Sequence, residues 1–296
     1  MIHYIKRKDL DVVKYDACIE NSLQSRVYAF SWYLDIVADN WDVLILGDYE
    51  AVMPIPWKQK YFIKYAAQPF FCQQLGVFSI EKTSEKLILR FIDTIAKKFK
   101  KITFNFNSGN KIATIKTKLR INYILNIENS FEENYQKFNK NRKRSLKKVH
   151  KNSLTIKDVN FNVLLEIAKK EKKTLDNLAY LKLIKLFSTA KDKEKGFVLG
   201  VFNKNEEFFG GAFFLNDNKR ITYLFSAMNE EGKNLNAATF LISYVLEKYS
   251  NKQYVLDFEG SMNVGIASFF RSFGAKKEIY HQIKNNNLFN FLHLKS

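Results

Sequence analysis

Cysteine is scarce in this chain, with Cys18 and Cys72 as its two examples, and the four histidines (His3, His150, His281, His293) are scattered. Two distant thiols make no disulfide framework, and isolated imidazoles offer no ligand spacing, so neither a metal site nor a Cys/His nucleophile is expected. Proline is held to three residues and glycine to 11 of 296, while 46% of residues are hydrophobic and 15% aromatic. That composition excludes collagenous, low-complexity and disordered classes. No apolar run approaches the ~18–20 residues of a membrane span, and Met1-Ile-His-Tyr-Ile-Lys-Arg-Lys has no apolar stretch after its charges. A globular protein without membrane insertion, in the cytoplasm, is the expectation, long enough for two domains of ordinary size.

Acid is also in short supply: 30 Asp and Glu face 48 Lys and Arg, leaving +18. Such an excess suits nucleic acid, an acidic membrane surface or a phosphorylated ligand without choosing among them. The charge is unevenly spread. From Lys137 to Lys157 there are nine Lys or Arg and no acid, which makes this segment the first functional suspect.

Hydrophobic patterning divides the chain into an α/β first half, residues 1–128, and a second half, 129–296. All three prolines, Pro54, Pro56 and Pro69, fall in the β-like region of the first half, where edges or bends are expected to hold them. The aromatic stretch from Tyr61 to Phe78 reads as β there, and Ser84–Phe99 reads as an amphipathic helix. The second half opens on an expected helix over Phe131–Val149. Further along it shows three consecutive strands (Gly196–Phe202, Phe208–Leu215, Arg220–Ala227), a helix over Leu235–Tyr249, a strand Tyr254–Phe258, a helix Val264–Phe273 and a last strand near Ile279–Ile283.

On a helical projection of Phe131–Val149, Arg142 and Ser145 fall within the apolar arc of Phe131, Tyr135, Phe138, Leu146 and Val149. Lys140, Lys143, Arg144, Lys147, Lys148 and Lys151 lie opposite. An arginine in an apolar stripe needs a carboxylate partner, a cleft in which it grips an anion, or a helix that stops early. In Asp257-Phe-Glu-Gly-Ser261, strand alternation puts Asp257 and Glu259 on one face. Such a pair suits a base or an anchor for an attacking amine. It equally suits a structural pairing with Arg271 or with the next helix N-terminus, capped by Ser261 or Asn263. Gly210-Gly-Ala in mid-strand suggests a bulge or a close approach, with the Tyr223 and Ser226 hydroxyls near it.

Several strings together resemble the FemAB-like branch of the GNAT acyltransferase superfamily. They are Pro54-Ile-Pro-Trp-Lys-Gln-Lys, Gln68-Pro-Phe-Phe-Cys-Gln-Gln-Leu-Gly-Val-Phe-Ser79, Asn139-Lys-Asn-Arg-Lys-Arg-Ser-Leu-Lys-Lys148, Gly210-Gly-Ala-Phe-Phe, Tyr223-Leu-Phe-Ser-Ala-Met-Asn, Asp257-Phe-Glu-Gly-Ser261 and Phe269-Phe-Arg-Ser-Phe-Gly-Ala275. The resemblance implies two tandem GNAT-like domains of α/β (α+β) class, each a mixed sheet flanked by helices. It also implies a cytoplasmic enzyme that transfers an acyl or aminoacyl group to an amine acceptor, a small molecule or a cell-wall-precursor-like compound, bound between the domains. Acyl-CoA and aminoacyl-tRNA are the two donors in view, with no tightly bound cofactor. An acyl-CoA enzyme of the superfamily holds pyrophosphate at a glycine-rich helix N-terminus. The corresponding stretch here, Glu231 to Ala238, offers Lys233, Asn236, Ala237 and Ala238, with Asn236 in place of a glycine. On this reading Asp257 or Glu259 takes the amine proton and Tyr223 or Ser226 orients the reacting centre. Arg142 and Lys58 hold anionic groups, Arg271 is a further substrate-binding candidate, and Gln73 and Gln74 border an apolar wall. The rival from another class is a non-catalytic RNA-binding or interaction module on an inactive acyltransferase fold.

Overall fold

The computed structural model describes residues 1–171, 175–217, 219–260 and 262–284. Its described residues divide into two compact units, Met1–Ile121 with residues 279–284, and Asn122–Glu278. The sequence reading separated the halves at 128 and kept the last strand with the second; here the chain returns to the first unit at Ile279.

In the first unit β1 (Ile2–Lys6), β2 (Asn40–Leu46), β3 (Ala51–Lys60) and β4 (Ile63–Ala67) run antiparallel in that order, with α1 (Val12–Asn21) and α2 (Ser31–Val37) between β1 and β2. β5 (Phe78–Ser79) pairs with the start of β3. β3 therefore has β5 opposite Ala51 and Val52, and β4 opposite Trp57 to Lys60, but no strand on that side between them. Pro54 and Pro56 occupy this gap, where a missing N–H costs no ladder bond. Then comes α3 (Glu85–Lys98), started by Ser84, whose side chain accepts from the Leu87 amide. Its Ile88, Phe91, Ile92 and Ile95 are buried at helical spacing, each contributing about 1.5–3 kcal/mol. β6 (Lys101–Asn105) lies parallel to β4 and takes Gln282–Lys284 as its antiparallel partner on the other side.

The aromatic stretch expected to be β is strand only at its ends. Between β4 and β5 one parallel bridge forms, Leu75 with Phe106, and side chains add to it: Gln68 Oε1 accepts from the Asn105 amide at 3.2 Å and Gln74 Oε1 from the Ser108 amide at 2.9 Å.

The second unit begins within β7 (Lys118–Asn126) and continues with α4 (Phe131–Gln136), α5 (Lys140–Lys151), β8 (Thr155–Asp158), α6 (Phe161–Lys170) and α7 (Asn177–Asp192). Next are β9 (Gly196–Phe202), β10 (Phe208–Asp217) and β11 (Arg220–Met228), then α8 (Glu230–Asn234), α9 (Ala237–Lys248), β12 (Val255–Asp257), α10 (Val264–Arg271) and the start of β13 (Lys276–Lys284), which belongs to the first unit from Ile279. The sheet order is β7-β12-β11-β10-β9-β8, with β11 and β12 parallel. Parallel neighbours need a crossover, supplied here by α8 and α9. A mixed sheet flanked by helices is what the sequence led one to expect.

One long helix over Phe131–Val149 is not what forms. The Ser130–Glu133 capping box starts α4, and Asn139 starts α5 by accepting from the Arg142 amide at 2.9 Å. The break at 137–139 is tied down by the Asn139 amide, which donates to the Ser272 carbonyl at 2.9 Å.

Candidate active site

The geometry of the second unit is set where two parallel strands part. β11 and β12 pair from Arg220–Val255 to Thr222–Asp257 and no further. β11 continues to Met228 alongside β10, while the chain after β12 follows β7, with the Phe258 amide donating to the Tyr123 carbonyl at 3.0 Å. A parting of parallel strands at their carboxyl ends is the place where open α/β sheets admit ligands.

β11 turns two hydroxyls toward one side of this parting. Its register with β10 slips so that Phe213 faces Phe225 and Phe214 faces Tyr223, leaving Leu224 as an extra residue. In an unbroken strand residues three apart point to opposite faces; one inserted residue returns Tyr223 and Ser226 to the same face. Ser226 lies close enough to oppose the effect of desolvation on its neighbour, which pushes the Tyr223 phenol up to about 12. The ring touches Phe214, Phe258 and Phe270 at centroid distances of 5.4, 6.4 and 6.4 Å.

The glycine pair on β10 permits this arrangement. β10 carries its own bulge at Phe209 against β9. Gly210 has φ +126°, and a Cβ there would stand 2.2 Å from the Ala227 carbonyl oxygen; one on Gly211 would stand 2.2 Å from that of Leu199. Bulge and close backbone approach are both present.

Asp257, the last residue of β12, is fully buried and thoroughly engaged. Its Oδ2 accepts from Arg220 Nη1 at 2.6 Å, and its Oδ1 from Asn122 Nδ2 at 2.9 Å and from the Glu259 amide at 2.8 Å. Asn122 Nδ2 also reaches Glu278 Oε2 at 2.9 Å, and Arg220 Nη2 lies 3.5 Å from Glu278 Oε1. The carboxylate thus has a structural partner in Arg220, not in Arg271, which is exposed on the last turn of α10. Arg220, Asn122 and Glu278 were not anticipated. Glu259 follows in a left-handed conformation, φ +56°, and is half-buried. Of the two helix-cap candidates, Asn263 accepts from the Gly265 and Ile266 amides. Ser261 lies outside the described residues.

Arg142 keeps to the packed side of α5, as the apolar arc implied, without the carboxylate that an internal salt bridge would require. Nε donates to Ser272 Oγ at 2.9 Å and Nη1 to Thr239 Oγ1. The guanidinium carbon sits 4.4 Å from the Phe269 ring centroid and 4.7 Å from that of Phe273. No acid pairs with it among the described residues, and burial alone lowers its pKa to about 10. Stacked rings connect it to the parting strands, since Phe273 meets Phe258 at 6.3 Å and Phe258 meets Phe270 at 4.5 Å.

Thr239 belongs to the first turn of α9, so Arg142 stands at that helix's N-terminus. Asn236 caps it in the left-handed region, φ +61°, a conformation asparagine tolerates and glycine more usually supplies. Ala237 is buried and Ala238 half-buried. Lys233 points elsewhere, into an ion pair with Glu171.

The other anticipated residues lie in the first unit with local partners. Lys58 pairs with Asp39 at 3.0 Å. Gln74 is fully buried and donates to Gln73 Oε1 at 2.7 Å, while the Gln73 carbonyl accepts from Asn105. The structure brings Tyr223 against Phe258, between Asp257 and Glu259, and sets Arg142 at the start of α9, joined to that cluster through the rings of Phe273 and Phe258.

No family model matches the chain, and no curated protein matches it. Among solved structures, FemX is similar along nearly the whole length: TM-score 0.67 at 11% identity, over 98% of this chain and 99% of that one. A conserved protein of unknown function from Bacteroides thetaiotaomicron VPI-5482 gives 0.60 at 10%, over 95% and 99%. L-PGS from Bacillus licheniformis gives 0.53 at 9%, over 92% and 90%. With strands parting around a crossover helix and this likeness along both units, the chain has the FemX-type, GNAT-like fold.

Proposed function

We propose that the protein is a GNAT-like acyltransferase that moves an acyl or aminoacyl group onto an amine, with its donor held at the start of α9. The observation that carries the reading is Arg142: a largely desolvated cation, oriented by Ser272 and Thr239, with rings beneath it and no carboxylate to neutralise it. A cation so placed has an unmet electrostatic demand that a phosphate of acyl-CoA or of tRNA would satisfy together with the helix N-terminus. Asn236 supports the same site by reproducing the glycine-like turn, although its side chain narrows the approach.

In this reading the donor's carbonyl lies along β11 and the amine attacks it directly. The new C–N bond forms as the thioester C–S or ester C–O bond breaks. The amine proton goes to Glu259, and the departing sulfur or oxygen takes the proton of Tyr223, whose phenol is protonated throughout the neutral range. Ser226 orients that phenol. Asp257 is a positioning residue, because its oxygens already accept from Arg220, Asn122 and the Glu259 amide.

The donor is distinguished by thermal shift with acetyl-CoA, longer acyl-CoAs, charged tRNA and uncharged tRNA, on the wild type and Arg142→Met, followed by transfer of a radiolabelled acyl group to amines. A ligand for the folded state raises the midpoint. The expected result is a shift with one donor class that Arg142→Met abolishes. The exposed face of α5, where Lys140, Arg144, Lys147, Lys148 and Lys151 have no acidic partner among the described residues, favours tRNA as that donor. Equal shifts with both tRNAs and no transfer would support the binding-module reading, and no shift with any donor would sink the proposal.

A further inference from the structure

The hairpin of β3 and β4 carries side chains that the fold does not use. Its register pairs Lys60 with Ile63, so Tyr61 and Phe62 form a two-residue turn. Turns of that length favour Gly, Asn or Asp, because positive φ is required in them. Here Tyr61 takes φ +53°, and Gln59 Nε2 donates to its carbonyl at 3.0 Å. Neither ring contributes to the core: Tyr61 is 83% exposed, Phe62 97% and Ile63 57%. Two large aromatics and a branched aliphatic stand in water, at a tip where small polar residues would relieve both backbone strain and hydration.

The charge around the tip has one sign. Residues 51–80 contain Lys58, Lys60 and Lys64 and no Asp or Glu. Lys64 Nζ lies 4.3 Å from the Trp57 ring centroid, Lys60 Nζ 5.8 Å from that of Tyr61, and Lys101 Nζ, on the neighbouring β6, 6.0 Å from that of Tyr65. Lys60, Lys64 and Lys101 are exposed, whereas Lys58 at the base of the hairpin is paired with Asp39.

We infer that this hairpin docks on an anionic phospholipid surface, with Phe62, Tyr61 and Ile63 entering the headgroup layer and Lys60, Lys64 and Lys101 meeting lipid phosphates. Aromatic rings favour the membrane interface, and long lysine stems reach past buried apolar groups to keep their ammonium ions at the phosphates. A single-stranded nucleic acid would use the same charges, but it needs rings laid out as a platform along a groove. A projecting tip that includes Ile63 suits a fluid layer into which it can sink. The inference stands apart from the acyltransferase reading, since none of these residues enters it.

The test is co-sedimentation of the full chain with phosphatidylcholine vesicles, with and without phosphatidylglycerol. Binding at least about tenfold tighter to the anionic vesicles is expected. A Tyr61→Ser, Phe62→Ser double variant, with an unchanged melting temperature because both side chains are exposed, should lose about tenfold or more of that binding. Independently, Phe62→Trp should show added emission that lipids brominated in the acyl chain quench. Several results would overturn the inference: no preference for anionic vesicles, full binding by the double variant, or a Phe62→Trp signal that lipid does not quench. So would finding that the double variant instead loses self-association or binding to single-stranded RNA while vesicle binding persists.

Discussion

Arg220 Nη1 donates to Asp257 Oδ2 across 2.6 Å, joining the first residue of β11 to the last residue of β12 through two nearly buried side chains. The pair closes the base of the parting strands. Removing one partner strands the other charge in a poorly solvated place, which typically costs about 3–5 kcal/mol. Arg220→Met, which removes a cation from both Asp257 and Glu278, should lower unfolding stability in urea by that order; Asp257→Asn should cost less, because Arg220 keeps Glu278. The double variant should lose less than the sum, because the two residues belong to one network.

Arg142 should behave in the opposite way. Burial holds its folded-state pKa near 10, below the ordinary 12.5, so the unfolded chain binds the proton more tightly. The resulting penalty is fully present at neutral pH and is relieved only as pH rises between those values. Arg142→Met should therefore leave the melting temperature unchanged or raise it, while abolishing the increment that a bound donor gives. A large drop in the variant's own melting temperature would show that Arg142 is structural.

The Tyr223 phenol is raised by desolvation to about 12. Its contribution to stability is present below the ordinary phenol value near 10 and is lost as pH climbs through 12. Ultraviolet titration should accordingly show a tyrosine that ionises near 12 and disappears in Tyr223→Phe, while Tyr4 and Tyr15, which burial also raises, still ionise late in the variant. If the phenol protonates the leaving group, this variant should lower kcat by about 10²-fold with little change in KM. Equal turnover would remove it from that role.

Gly210 sits at φ +126°, with the Ala227 carbonyl oxygen 2.2 Å from where a Cβ would be. Gly210→Ala should destabilise the chain by about 2–4 kcal/mol, since both the dihedral and the contact must give. Chemical denaturation checks this. A neutral outcome would mean that the β10 bulge can relax.

The basic face of α5 gives a graded prediction. Each lysine that meets a phosphate contributes about 0.7–0.9 to the slope of log affinity against log salt. Lys147→Gln with Lys148→Gln should therefore flatten the slope for tRNA by roughly 1.4–1.8. An unchanged slope would place the nucleic acid elsewhere.

Much of the architecture could be read before any coordinates, because its causes are local. Ser84 caps α3 where a capping residue precedes an apolar period, Asn263 does the same for α10, and the three consecutive strands lie between polar turns. What escaped notice depends on distance or on backbone detail. The apolar arc of Phe131–Val149 continues in phase across the break, so periodicity hides it; the capping types at Ser130 and Asn139 were its available signal. For the carboxylates at the end of β12 the sequence offers Arg271 or the next helix N-terminus as structural partners, and misses Arg220 because only a parallel register can bring it to Asp257. Tyr223 and Ser226 share a face through the extra residue Leu224, which alternation cannot foresee. The aromatic stretch after Tyr61 has the composition of a strand, yet past Ala67 it pairs through one bridge at Leu75 and through the side chains of Gln68 and Gln74.

The return of the chain to its first unit at Ile279 bears on how the protein is made. On the ribosome, residues 1–121 emerge long before Gln282–Lys284, the strand that pairs with the free side of β6. Until then β6 offers an open row of N–H and C=O groups next to an apolar core, a template for pairing with another nascent chain. The second unit, continuous in sequence from Asn122 to Glu278, has no such wait. Synthesis thus imposes an order in which the inserted unit can mature first and the unit around it is sealed last, by the segment that arrives latest.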